Sequence, residues 1–297
     1  MTRSRPLDLY WWSPVRSPRT AVWELRRNAS AWARMTARGG RPFSNFGDEL
    51  SRRVVGEVSG RRVRWAPPES ARVIAIGSVL EHVAAVDRPG LIWGTGLRRP
   101  EFPPAPWADR RSAQFLAVRG ALTRDALGLP EQLPLGDPGL LVRTFVRPSR
   151  RSRGVVVIPH FLAFNSSAAR RQLAAARAEG LRVVPPSAHW GRVCEEVAEA
   201  DLVLSSSLHG MVIADALDRP VQLVSFADTV EPAFKFADYQ TLYGLSSAFV
   251  SFVGDILQGD IAAVRERADE RRAVVGTRID DVVERLARSG SALAGLP

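Results

Sequence analysis

Asp201-Leu202-Val203-Leu204-Ser205-Ser206-Ser207-Leu208-His209-Gly210-Met211-Val212-Ile213-Ala214-Asp215 decides how the rest of the chain is read. Its first four residues are a short, mostly apolar run that reads as a buried parallel strand. Met211, Val212, Ile213, Ala216 and Leu217 supply the crowded apolar positions of a helix packed between sheet and solvent. The three serines therefore fall at a strand-to-helix turn, where serine is a favoured N-cap. His209 then sits in the first helical turn, where free backbone N–H groups and the helix dipole attract anions. In open α/β sheets ligands bind at this edge, beyond the carboxyl ends of the strands. A first-turn histidine is as often a plain surface residue. The serine run, and Gly210, which lets another group approach closely, weigh towards a site.

The same rhythm extends to both sides. Residues 7–12 read as a first strand. Residues 13–42, rich in Arg, Pro, Ser and Gly, read as a long loop over the site with a short helix around 21–34. In that loop Trp23 and Trp32 suit packing or sugar stacking, packing being the commoner use. A helix opens at 45–48 and runs to about 56, with Ser44 or Asn45 as cap. Strands follow at 61–65, 72–76, 91–93 and 114–118. The turn Gly94-Thr95-Gly96 has room for a phosphate or a sugar, though as a motif it is weak. Residues 148–153 form an Arg/Ser-rich linker, which divides the chain into 1–147 and 148–297. After it come a core strand at 155–158, a helix at 168–179, a strand at 182–184 and a helix at 190–200. The strand-serine-histidine unit, a strand at 221–226, a short helix at 233–242 and closing helices over 255–286 complete the chain. This pattern predicts an α/β fold with a mostly parallel sheet.

Composition sets the outer limits. The chain has 297 residues, 45% of them apolar and 24% charged, enough for sizeable cores in two domains. No apolar run approaches the roughly 20 residues that span a bilayer, and the basic first residues lead into no signal-type apolar segment. Cys194 is the single cysteine, so no intramolecular disulfide forms and a cytoplasmic location is the simplest reading. The formal net charge is +10, and with Lys235 as the sole lysine, 41 − 1 = 40 of the cations are arginine. Arginine-favouring codons explain most of that excess, yet arginine is also the better bidentate ligand for phosphate and carboxylate. No nucleic-acid-binding motif accompanies the charge, so nucleic acid is not an expected partner.

Four segments together resemble one family. Ser205 to Leu217 followed by Arg219-Pro220-Val221 is similar to the C-terminal signature of the polysaccharide pyruvyl transferases. Asn45-Phe46-Gly47-Asp48-Glu49-Leu50, Val118-Arg119-Gly120-Ala121-Leu122-Thr123-Arg124 and Ile158-Pro159-His160-Phe161 match in the right order. Each motif is weak alone; four in register are specific. The resemblance implies two Rossmann-like domains facing across a cleft, a GT-B-like arrangement. It also implies transfer of the pyruvyl group of phosphoenolpyruvate onto two hydroxyls of a sugar, leaving a cyclic ketal and phosphate.

The residues can be matched to that chemistry. Phosphoenolpyruvate carries a carboxylate and a phosphate close together, so its recognition needs fixed cations and backbone donors. Arg119, at a strand tip, is the expected bidentate clamp. Ser207 and the amides around Leu208 and His209 would form a helix-terminus anion pocket, on the donor side of the second domain. Lys235 adds a point charge. His209 is the candidate general acid or base, with His160 and His82 as alternatives. Asn45 and Asp48, at the ligand edge of the first half, either hold their turn or touch the acceptor. Arg124 pairs with Asp125 or a neighbour, and His189 is a surface or capping histidine. No His/Cys/Asp group has metal-ligand spacing, and the expected chemistry needs no cofactor. The expected partners are phosphoenolpyruvate and a glycan, free or lipid-linked. Peripheral association at the inner face of the cell membrane would suit a lipid-linked acceptor. A nucleotide-sugar glycosyltransferase and a non-catalytic glycan-binding relative are the alternatives; the first lacks an evident acidic pair for a ribose.

Overall fold

The computed structural model describes residues 5–84, 86–87, 89–101, 114–147, 149, 151–229, 231–247 and 249–296. Val155-Val156-Val157-Ile158 forms the strand its β-branched side chains predict, and Leu202–Ser205 lies parallel beside it, Ile158 opposite Ser205. These belong to one of two five-stranded parallel sheets. In the first half β1 (Leu7–Tyr10), β2 (Val63–Trp65), β3 (Val73–Ile74), β4 (Leu91–Trp93) and β5 (Phe115–Ala117) are ordered β2-β1-β3-β4-β5. In the second, β6 (Val155–Ile158), β7 (Arg182–Val183), β8 (Leu202–Ser205), β9 (Val221–Ser225) and β10 (Phe249–Ser251) are ordered β7-β6-β8-β9-β10. The two orders are the same. Each sheet therefore reverses its winding beside its first strand, between β1 and β3 and between β6 and β8. At such a reversal the following helices leave to opposite faces and open a crevice at the strand ends.

The first half carries α1 (Pro18–Thr36), α2 (Phe46–Ser59), α3 (Leu80–Val83) and α4 (Ala121–Ala126). The second carries α5 (Ser167–Ala178), α6 (Trp190–Ala198), α7 (Leu208–Ala216), α8 (Phe234–Gln240), α9 (Ile261–Gly276) and α10 (Ile279–Gly290). α2 starts at Asn45, whose side chain accepts from the Gly47 amide at 3.0 Å, and stops at Gly60 with φ 64°. Its buried face, Phe46, Leu50 and Val54, recurs every fourth residue and shares one apolar core with Ile158, Met211 and Val212 of the second half. Burying each such side chain stabilises by about 1.5–3 kcal/mol. α10 returns to the first sheet, where Trp93 Nε1 donates to Ser289 Oγ at 3.1 Å.

The long loop expected at 13–42 is a correction. A single turn of 3-10 helix at Pro14–Arg16 leads into the nineteen residues of α1, of which the predicted short helix is the middle. Pro18 starts it, and no Pro or Gly interrupts it. Its inner face mixes Glu24 and Asn28 with Ala31, Trp32 and Met35, so the apolar period is broken in the sequence. The polar pair is satisfied internally: Glu24 Oε2 accepts from Asn28 Nδ2 and Trp32 Nε1, each at 2.9 Å. Several strands are shorter than the apolar runs that announce them, and β10 had no expected counterpart. The closing stretch begins with a π-helical turn, Phe252–Leu257. Pro148 and Arg150, within the expected linker, lie outside the described residues. No described helix is long and apolar enough to cross a membrane.

Candidate active site

The carboxyl ends at both reversals meet in one cavity of about 660 Å³. Trp12 beyond β1, Ser78 beyond β3, His160 and Phe161 beyond β6 and Ser207 beyond β8 all line it. Asn45 and Asp48 enter from α2, His82 from α3, Leu208 and His209 from α7, and Lys235 from α8. α1 walls one side with Trp23, Glu24 and Trp32. A larger groove of about 860 Å³ lies beside Pro6 and Val63, at the amino ends of β1 and β2. It is lined by arginines of α2 and the turn after it and holds none of the strand-end residues, so the first cavity is the candidate site.

The three serines divide their roles. Ser205 Oγ accepts from the Ser207 amide at 3.0 Å, and Gly210 packs so close that a Cβ there would come within 2.3 Å of that oxygen. Ser206 Oγ accepts from the His160 amide at 2.7 Å, tying the two strand ends together. Ser207 occupies the N-cap position of α7 without a side-chain capping bond, and its side chain lines the cavity. The start of α7 therefore faces the cavity with no side chain of its own closing it. Asp215, at the end of the motif, is structural: Arg271 grips it at 2.6 and 2.8 Å and Tyr239 donates to it at 2.9 Å.

Two of the motifs turn out to be packed on each other. A Cβ on Gly47 would lie 2.0 Å from His209 Nδ1, so only glycine lets α2 seat against the imidazole. Phe46 meets the same ring edge-on, with centroids 6.5 Å apart. His209 Nε2 is buried without a hydrogen-bond partner and lies 3.7 Å from Asp137 Oδ2, itself unsatisfied. Burial, and then the positive charges of Lys235, Arg119 and His160, push the His209 pKa down to about 3. The imidazole is therefore neutral at neutral pH, the form that suits the base among its two expected roles. Asp137 moves the other way, up to about 6, chiefly through burial.

Glu231 was not foreseen, and it organises the far side of the cavity. Its Oε1 lies 3.0 Å from His160 Nδ1, and its Oε2 pairs with Lys235 Nζ. Arg98 approaches within 3.5 Å. The Leu162 amide also lies 3.3 Å from His160 Nδ1 and competes for that nitrogen. The carboxylate contact is shorter and charge-assisted, so Nδ1 carries the proton and Nε2 is left as the basic nitrogen. Burial works to raise the Glu231 pKa, but His160 and Lys235 together hold it well below the usual carboxylate range. Burial lowers the pKa of Lys235, and Glu231 opposes that shift.

Asp48 is shifted in the opposite sense to His209. It is buried at the cavity wall, and burial, reinforced by Glu49, raises its pKa to about 8 despite the opposing charge of Lys235. A carboxyl that keeps its proton at pH 7 can donate it.

Arg119 departs from its expected role. It is 0% exposed and absent from the cavity lining. Nε and Nη2 both lie 2.9 Å from Asp238 Oδ2, Nη1 donates to Ser78 Oγ at 2.7 Å, and Nη2 to the Leu97 carbonyl at 2.5 Å. Its fork thus grips a carboxylate of α8 and holds Ser78 at the cavity wall; it clamps the protein, not a ligand. Gly94-Thr95-Gly96 is likewise filled from within. Thr95 Oγ1 donates to the Gly77 carbonyl at 2.6 Å, and a Cβ on Gly96 would come 2.5 Å from Arg119 Cζ. Arg124 pairs with Asp125 at 2.8 Å, and His189 caps α6 by accepting from the Gly191 amide at 3.2 Å. Among the described residues no group of three or more His, Cys, Asp or Glu could hold a metal ion.

The polysaccharide pyruvyl transferase family model matches residues 38–225, that is 188 of 297 residues. The chain belongs to the polysaccharide pyruvyl transferase family. It is similar to the succinoglycan biosynthesis protein ExoV of Rhizobium meliloti (strain 1021), 25% identical over 205 residues. That alignment covers 68% of this chain and 62% of the relative, so the chain spans less than two thirds of the relative's length.

In this family member the matched region includes Asn45, Asp48, His160, Ser207 and His209 and ends before Glu231 and Lys235. Glu231 had one local signal, its position four residues before Lys235 at the start of a helix. Asp137 had none beyond a Gly-Asp-Pro-Gly turn, whose cap it is, accepting from the Gly139 amide at 2.8 Å.

Proposed function

We propose that the two halves act as a GT-B-like pair across this cavity and transfer the pyruvyl group of phosphoenolpyruvate to two hydroxyls of one sugar. The acceptor belongs to a cell-surface polysaccharide or its precursor, and the products are a cyclic ketal and inorganic phosphate. The observation that carries this reading is convergence: three of the four motifs behind the family resemblance send side chains into one cavity that also holds Lys235. The fourth, through Arg119, braces its wall.

The donor's anionic groups lie at the open start of α7, beside Ser207, Leu208, His209 and Lys235. A neutral His209 serves there as a hydrogen-bonding ligand. Asp48 delivers its proton to the methylene carbon, which becomes the methyl group, and the adjacent carbon becomes electrophilic. The first sugar hydroxyl attacks that carbon while His160 Nε2 takes its proton, the resulting imidazolium being held by Glu231. The carbon–oxygen bond to phosphate then breaks, and the second hydroxyl closes the ketal. Of the two hydroxyl protons, one makes good the proton Asp48 gave up and the other leaves on phosphate, so the enzyme ends as it began.

The test is a reaction with phosphoenolpyruvate labelled with carbon-13 at the central carbon and a panel of glycans. A ketal carbon signal appearing in equal amount to released phosphate, only with an accepted glycan, is the expected result. Phosphate release without a ketal, or consumption of a nucleotide sugar instead, would contradict the proposal.

A further inference from the structure

The outer face of α1 reverses the usual pattern of a surface helix. Of the six large hydrophobic residues exposed among the described residues, four lie in or just before it: Val15 (64% exposed), Val22 (50%), Trp23 (49%) and Leu25 (51%). Val22, Leu25 and Arg26, spaced three and four residues apart, are neighbours on the exposed surface of the helix, whereas Asn28, Trp32 and Met35 are buried. Scattered exposed apolar residues need no explanation; four together on one short segment do.

The charge around this patch has one sign. From Leu9 to Gly47 the sequence contains seven arginines (16, 19, 26, 27, 34, 38 and 41) and one acid, Glu24. That acid is turned inward and bonded to Asn28 and Trp32, so none faces out. Arg27 Cζ stands 5.1 Å over the Trp23 ring, which keeps a cation level with an amphipathic aromatic. The patch also borders the cavity, for Trp23 belongs both to the exposed apolar set and to the cavity wall.

We infer that the outer face of α1 is a docking surface for an anionic lipid bilayer, which sets the mouth of the cavity against the membrane. Apolar side chains enter the headgroup boundary while arginines meet lipid phosphates, as for helices that lie in the plane of a membrane. Trp23 belongs at that boundary, where its ring is half in and half out of water. A glycan tethered to a lipid would then reach the cavity without leaving the bilayer. The surface itself follows from the exposed face and its charge; only this last consequence rests on the proposed reaction.

Co-sedimentation of the full chain with vesicles tests it. Binding is expected to vesicles of equal parts phosphatidylglycerol and phosphatidylcholine, and not to phosphatidylcholine alone. It should weaken sharply as salt rises from ~0.1 to ~0.5 M, because screening shortens the reach of the arginines. Val22→Ser with Leu25→Ser should lower the partition coefficient by roughly tenfold or more. Arg16→Gln with Arg26→Gln should do so by roughly tenfold through lost charge. All four side chains are outside the cavity, so turnover on a water-soluble acceptor should match the parent. Arg16 stacks over the Trp11 ring at 5.5 Å, so its variant should lose about a degree or two of melting temperature and the Val22/Leu25 variant little. Absence of binding to the anionic vesicles, or equal binding by both variants, would overturn the inference. So would a concentration-dependent dimer that the Val22/Leu25 variant loses, since the face would then cover a second copy. Loss of vesicle binding leaves soluble turnover untouched, so this inference and the proposed reaction fail separately.

Discussion

Asp48→Asn is expected to lower turnover by about 10²–10⁴-fold, the usual scale for one general acid, with the fold intact. The substitution keeps the shape of the side chain and replaces the acidic hydroxyl with an amide that does not ionise. The same variant should also show a change in stability that a bystander would not. Burial raises the Asp48 pKa from 3.8 to about 8, so the native chain holds this proton where the unfolded chain has lost it. Its stabilisation is complete below pH 3.8 and is lost as pH rises through about 8, at up to about 1.4 kcal/mol per pH unit in between. His209, lowered from 6.5 to about 3, acts in the opposite sense, costing stability as pH falls below 6.5. Asp137 acts as Asp48 does, but its effect is complete near pH 6. Above pH 6.5, Asp48 is therefore the group to watch. The parent's melting temperature should fall between pH 6.5 and 8.5, and that of Asp48→Asn should stay nearly flat. Near-normal turnover, or the same slope in both proteins, would remove Asp48 as the acid.

Asp238→Ala should cost about 3–5 kcal/mol of stability, because it strands the fully buried guanidinium of Arg119 without its carboxylate. Asp238 Oδ1 also accepts from the Thr123 amide at 2.7 Å and Oδ2 from Thr123 Oγ1 at 2.6 Å, so the start of α4 loses its partner as well. At about 2–4 °C per kcal/mol, melting should drop by roughly 6–20 °C. Arg119→Met combined with Asp238→Leu removes both charges and should recover most of that loss. A loss below about 1 kcal/mol in the single variant would mean that Arg119 is solvated and free for a ligand. The thermal melt thus decides between an arginine that clamps the protein and one that clamps the donor.

Parts of this site were legible in the sequence because their signals are local. The strand at 155–158 and the first three residues of the strand at 202–205 are continuous apolar runs, and serine, histidine and glycine at fixed offsets announce the turn into α7. Asn45 reads as a helix cap and proves to be one. What escaped depends on distant partners. Nothing near Arg119 in sequence says that Asp238, 119 residues later, will take its fork. Glu231 is one acid in a Pro-containing coil until β6 brings His160 beside it. The helix at 18–36 was hidden by Glu24 and Asn28, whose polarity breaks the apolar period although they point inward. The protonation of Asp48 and His209 is a product of burial between the halves, which no window of sequence contains.

The most direct measurement is the melting temperature of the chain with candidate donors. A ligand that binds only the native state stabilises it by about 2.7 kcal/mol at a hundredfold excess over Kd, a shift of several degrees here. The cavity offers a helix start, Ser207, His209 and Lys235 for a small polyanion. Phosphoenolpyruvate should therefore raise melting by several degrees, inorganic phosphate by less, and nucleotide sugars hardly at all. A clear shift with a nucleotide sugar and none with phosphoenolpyruvate would contradict the account and make the cavity that of a glycosyltransferase.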